Sequence, residues 1–168
     1  MDNKAKLQYP GIFAAVGGIV ALLGIYAGWY VAKTPSGNTT LKGTVFTAGD
    51  LALWASVATF AFGAAYVIFS DPKIRKAMGG LVTVCAMVLL VACIWGFLRA
   101  NFAVQTAIVN GEVPNAAAYS ASRALGLFVS LAGAIFALVG GAATLRPESN
   151  ITGEPETFHD QGPEGRLV

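Results

Sequence analysis

The sequence predicts an all-α integral membrane protein, a four-helix bundle of antiparallel, up-down topology. Three observations carry this reading. Charged residues fill only 12% of the chain, about half the share usual in a soluble domain. That charge is also segregated: no Asp, Glu, Lys, Arg or His falls within Ile12–Ala32, Leu51–Ser70, Ala77–Leu98 or Ala124–Leu145. Each stretch holds roughly 20 residues, which is what an α-helix needs to cross about 30 Å of hydrocarbon. Within them, small residues recur at helical spacing, the pattern by which helices approach one another in lipid.

The first span follows Lys4 and Lys6, with Pro10-Gly11 at its start. Its apolar run is longer than the roughly 7–15 residues of a signal-peptide core, and the bulky Trp29-Tyr30-Val31-Ala32-Lys33 offers no small-residue cleavage site. It is therefore expected to remain as a helix. A polar loop of 17 residues, Lys33 to Gly49, leads to the second span. Thr47-Ala48-Gly49-Asp50 resembles a capping box with Asp in place of Glu. Between the second and third spans, Ser70-Asp71-Pro72 reads as an N-cap followed by proline at the first helical position. The third helix then starts almost where the second stops, so the two form an antiparallel hairpin.

The connection Arg99 to Ser122 contains one clear breaker, Asn110-Gly111-Glu112-Val113-Pro114. The flanking FAVQTAIV and AAAYSASR are good helix formers without glycine. Helices three and four are thus expected to project beyond the bilayer as a hairpin, the alternative being an irregular loop of 24 residues. After residue 146 the transmembrane domain ends. Pro147–Val168 contains three prolines, three glycines and five acidic residues, a composition that predicts a disordered acidic tail.

Lys4, Lys6, Lys73, Arg75, Lys76 and Arg146 lie in short segments on one side of the spans, against Lys33, Lys42, Arg99 and Arg123 in longer loops on the other. The positive-inside rule then puts both termini in the cytoplasm, with the bacterial inner membrane as the expected location. Lys73-Ile74-Arg75-Lys76 is a topology signal of this kind. Trp29, Trp54 and Trp95 all fall at the predicted outer ends of their helices, as an aromatic belt would.

Gly126, Ser130, Gly133, Ala137, Gly140 and Thr144 step by 4, 3, 4, 3, 4 along the last span. Ala14, Gly17, Ala21, Gly24 and Gly28 step by 3, 4, 3, 4 along the first, and Ala52, Ser56, Thr59 and Gly63 by 4, 3, 4 along the second. Such stripes are expected to pack helix against helix, with Leu, Phe, Val and Ile left for lipid. Gly17-Gly18 offers two adjacent faces and is a candidate for contact with another protein.

Ionisable residues inside spans are the usual markers of function in membrane proteins, and these spans hold none. The single histidine, His159, lies in the predicted tail. No metal-ligand spacing, phosphate-binding glycine loop or activated nucleophile is apparent, so neither catalysis nor a cofactor or metal is expected. Cys85 and Cys93 stand eight residues apart, about 12 Å along one helix, too far to bond to each other. Ser56, Thr59, Thr83 and Ser130 can satisfy their hydroxyls on their own helix carbonyls. Asp50, Arg99 and Arg123 fall at the outer interface, where an ion pair or lipid headgroup contact is expected. Asn38-Thr39-Thr40 and Asn150-Ile151-Thr152 match the glycosylation pattern. A net charge of +2 suggests no nucleic-acid partner.

These features point to a non-catalytic membrane subunit that assists a larger assembly, with the bilayer and other membrane subunits as partners. In span number and size the chain resembles the small accessory or assembly subunits of bacterial respiratory complexes, a likeness of layout that no motif carries. The rival is an oligomeric transporter or channel for a neutral or lipidic solute. Every proline lies outside the four charge-free stretches, which weighs against the broken helices that build transporter sites. A third reading is a regulator whose acidic tail binds a cytoplasmic protein.

Overall fold

The computed structural model describes residues 3–35, 37–111, 113 and 120–145. The tail expected at 147–168 lies outside the described residues, as do Glu112 and Pro114 of the breaker. The elements run α1 (Asn3–Ala27), β1 (Tyr30–Thr34), β2 (Gly37–Leu41), a 3₁₀ turn at Gly43–Val45, α2 (Thr47–Ile68), α3 (Pro72–Leu98), α4 (Ala100–Val109), β3 (Ser120–Arg123) and α5 (Leu125–Thr144). Four helices are long and apolar enough to cross a membrane, over Gln8–Ala27, Thr47–Ile68, Pro72–Leu98 and Leu125–Thr144.

The long helices pack through backbone rather than through bulk. A β-carbon at Gly17 would stand 2.7 Å from Gly133 O, and one at Gly24 would stand 2.5 Å from Ser130 N. At the other end, a β-carbon at Gly140 would stand 2.8 Å from Pro10 O. The α1 and α5 stripes therefore interdigitate in opposite chain directions, with Ala14 and Ala21 filling the intervening places. A second face of α1 meets α2 in the same way. Gly18 lies against Ser56 O and Phe60 N, while Gly63 lies against Gly11 O and Ala15 N. α3 closes the set against α2 and α5, where Gly79 abuts Thr144 and Gly141 abuts Thr83. Leu23, Val84, Val91, Phe136 and Val139 are left outward.

The α2–α3 junction forms as its residues predict. Asp71 Oδ1 accepts from Lys73 N at 2.8 Å and Ile74 N at 3.4 Å, with Pro72 opening the helix. The capping box does not form. Phe46 is the N-cap of α2 and no side chain caps it; Asp50 N is taken by Phe46 O at 2.9 Å. Thr47 enters the helix itself, one residue too late for its hydroxyl to cap.

The largest departures lie at one end. α1 stops at Ala27 rather than continuing to Ala32, because Gly28 adopts φ 103°, the left-handed region that ends helices without a Cβ penalty. Gly28 is thus a helix terminator and not a further step of the stripe. The polar loop beyond it is a β-hairpin: β1 pairs antiparallel with β2, from Tyr30 opposite Leu41 to Thr34 opposite Gly37. β3 pairs with the other edge of β1, Tyr30 opposite Arg123, giving the order β2-β1-β3. The expected helical arm AAAYSASR is therefore a strand from Ser120 onward, where pairing with β1 overrides local helix propensity. The other arm is helical: α4 continues α3 past a break at Arg99 (φ −106°, ψ 27°) and ends at Asn110-Gly111.

The helix seam predicts a matched pair of outcomes. Gly133→Ala would drive a methyl into Ala21 N and Gly17 O, backbone that cannot give way, and should cost about 1–3 kcal/mol. Gly80→Ala meets nothing within 4 Å and should leave stability unchanged or raise it by up to about 1 kcal/mol. Thermal unfolding in detergent, followed by tryptophan fluorescence, distinguishes them; equal midpoints would sink the seam as the main packing contact.

Candidate functional site

The site-bearing end of the molecule is organised by Trp29. Once Gly28 has turned the chain, Trp29 N donates to Leu41 O and Ala124 N donates to Trp29 O, both at 2.8 Å. One residue thereby joins the hairpin to the start of α5. Its side chain turns inward and is 0% exposed, so Trp29 does not stand in an aromatic belt, whereas Trp54, 70% exposed, faces outward. Indole is large and apolar with one donor, and it is buried stably when that donor finds an acceptor. Trp29 Nε1 donates to Ser130 Oγ at 3.1 Å. Ser130 Oγ in turn lies 2.9 Å from Gly126 O and 3.2 Å from Ala21 O, so its single proton serves two carbonyls. Gly43 and Gly96 provide the space: a β-carbon at Gly96 would stand 2.6 Å from the indole ring.

Next to it, Tyr30 is buried and its hydroxyl donates to Gly96 O at 2.6 Å. Phe46 packs edge-on against its ring at 5.1 Å between centroids. Burial pushes the Tyr30 phenol from 10.0 up to about 12, with the positive charge of Arg123 opposing.

Above Tyr30 and Gly96 opens a cavity of about 300 Å³. Val45, Phe46, Thr47 and Ala48 form one wall; Trp95, Arg99, Phe102, Ala103, Thr106 and Asn110 form the other. The break at Arg99 is what bends the second wall. Arg99 is exposed at the rim, its guanidinium carbon 5.9 Å from the Trp95 ring centroid and 5.8 Å from that of Phe102, within cation–π range of both.

The predicted site residues distribute as follows. Gly17, Gly18, Ala21, Gly24, Gly63, Gly126, Gly133 and Gly140 are all buried between helices of this chain. The two faces of Gly17-Gly18 are occupied from within, by α5 and α2 respectively, and leave no surface there for another protein. The charges expected to meet at the outer interface diverge. Arg99 joins the cavity rim; Arg123 lies 4.2 Å over the Phe97 ring and donates from Nε to Phe97 O at 2.9 Å; Asp50 is exposed in the first turn of α2. Both arginines thus rest on aromatic rings. Ser56, Thr59 and Thr83 bond their own helix carbonyls at 2.7–2.9 Å, while Ser130 also bridges helices. No local pattern encodes the cavity, but the hairpin that leads to it carries a signal. Tyr30-Val31-Ala32-Lys33-Thr34 and Gly37-Asn38-Thr39-Thr40-Leu41, with Pro35 between them, fit a hairpin with a turn.

No protein-family model, curated protein or solved structure matches this chain. Among the described residues, no group of three or more His, Cys, Asp and Glu is placed to hold a metal ion. The chemistry available at this end is that of an aromatic cavity with a cationic rim, suited to holding a partly apolar group.

Two outcomes follow. Trp29→Phe keeps most of the ring volume but removes the donor to Ser130, and Ser130→Ala removes the acceptor. Each should cost about 1–3 kcal/mol, and the double variant should cost less than their sum; strict additivity in a thermal-unfolding cycle would refute the coupling. The raised Tyr30 phenol stays neutral in the fold while the unfolded chain ionises. Its stabilisation is therefore fully present below about pH 10 and is lost as pH rises toward 12. Tyr30→Phe should flatten that alkaline decline, and an unchanged slope would argue against it.

Proposed function

We propose that the protein is a non-catalytic accessory subunit of a larger membrane assembly. In this reading the four spans form an up-down bundle with both termini cytoplasmic, and the sheet, the cavity and α4 stand at the outer face. The carrying observation is the surface of α4. α3 alone is 27 residues, about 40 Å, enough to cross the hydrocarbon. α4 adds 10 residues beyond it, about 15 Å. Phe102, Gln105 and Val109 share one exposed face there, with Phe102 62% and Val109 80% exposed. Apolar side chains held beyond the bilayer on an ordered helix suit a protein partner.

The glycine seams do not supply the partner contact. They are filled by the chain's own helices, so a partner would be met at the outer end and along lipid-facing side chains rather than through small-residue stripes. A bacterial respiratory complex fits the size of such a subunit.

Purification of the tagged protein from its native membrane in mild detergent tests the proposal. A fixed native mass with larger subunits in constant ratio is the expected result, and Val109→Asp should lower their recovery severalfold. A monomer or homo-oligomer without other chains would overturn it and favour an oligomeric path for a neutral or lipidic solute. Deleting Pro147–Val168 should leave recovery unchanged; its loss would transfer the contact to the tail.

A further inference from the structure

We propose that the cavity between the α2 corner and the α3–α4 bend binds a single-chain anionic amphiphile, its apolar chain among the rings and its carboxylate or phosphate head at Arg99. Four observations converge on this occupant. The volume, about 300 Å³, lies at the lower end of small-molecule sites, which suits one chain and not a two-chain lipid. The floor and sides are Tyr30, Phe46, Trp95, Phe102 and Ala103, with Gly96, and the tyrosine hydroxyl is already spent on Gly96 O. The interior therefore offers contact chiefly to an apolar group; Thr47, Thr106 and Asn110 are the polar uncharged side chains of the lining besides the tyrosine, and Thr106 already donates to Phe102 O at 3.0 Å.

The rim has the opposite character. Among the described residues, Arg99 is the charged residue lining the cavity, and no Asp or Glu lines it. Its neighbours Trp95 and Phe102 are rings, which hold the guanidinium in place without neutralising it or consuming its donors. On the opposite wall, Thr47 and Ala48 belong to the first turn of α2, whose N-terminus has no side-chain cap and whose amides carry partial positive charge; Asp50 of the same turn is exposed and does not line the cavity. The site shares Phe102 with the α4 face proposed for a partner, but the residues that line it all belong to this chain.

The test uses the full chain in a neutral detergent, carrying Trp54→Phe so that the outward-facing indole does not contribute. A brominated long-chain fatty acid is titrated while tryptophan fluorescence is followed, with the brominated alcohol of equal length as the uncharged comparison. Saturable quenching is expected, with the acid binding about tenfold more tightly than the alcohol at neutral pH. Arg99→Gln, a change at an exposed position, should bring the two to parity. Ala103→Leu should abolish the saturable phase by filling the cavity, and an unchanged thermal midpoint would confirm that the variant is folded. Linear, non-saturating quenching, equal affinity for acid and alcohol, or saturable binding that survives Ala103→Leu in a folded variant would each overturn the proposal. A brominated lysophosphatidic acid in place of the fatty acid separates the two head groups: preference for either keeps the site, and indifference of both to Arg99→Gln removes it.

Discussion

The structure depends on how closely the backbones of α1 and α5 approach. In lipid, an apolar side chain gains nothing by leaving the solvent for a neighbouring helix, so association rests on dispersion between surfaces that fit. Glycines at 17, 24, 126, 133 and 140 remove the β-carbons that would hold the helices apart, and each faces backbone of the opposite helix. Because both helices carry the same alternation of three and four residues, one register satisfies the whole seam. α1 then has a second face, through Gly11 and Gly18, for α2. The first helix is thus the shared wall of two contacts, and α3 completes the set against α2 and α5.

That seam fixes the end where the chain leaves the helices. With Gly24 held against Gly126, the turn at Gly28 must fall beside the start of α5, and Trp29 N–H and C=O are caught there between Leu41 and Ala124. The indole fills the gap that opens as the helices part, and its one polar atom reaches Ser130 on the same stripe. A serine in place of a glycine at that step serves two ends: it is small enough for the seam, and it carries the acceptor that a buried tryptophan requires. From this corner the strand β1 departs with a free edge on each side, one taken by β2 and the other by β3.

The cavity is a by-product of the same geometry. Sheet, 3₁₀ turn and α2 stand on one side of Tyr30, and α3 bends into α4 on the other. The Tyr30 ring is fixed by Gly96 and Phe46, so it does not collapse into the space. Small residues do two jobs here. Gly96 admits Trp29 from beneath and lets the Tyr30 hydroxyl reach its carbonyl, and Ala103 leaves the upper space open.

Length and charge segregation determine the four spans, because hydrocarbon excludes charge and an α-helix satisfies its own backbone. The stripes determine that the helices carry faces for close approach, and Asp71-Pro72 determines where α3 begins, since cap and proline act within a single turn. None of these needs information from distant residues. What only the tertiary structure decided lies beyond the helix ends. Tyr30–Ala32 reads as the apolar end of a span and becomes a strand; Ser120–Arg123 reads as helix and becomes its neighbour. Strand formation is a pairing between residues about ninety positions apart, whose energy no local pattern contains. The cavity, and the separate fates of Asp50, Arg99 and Arg123, follow from that pairing and from the bend at Arg99. Residue type alone could place those charges at one interface, but only the packed chain could say which ring each arginine would meet.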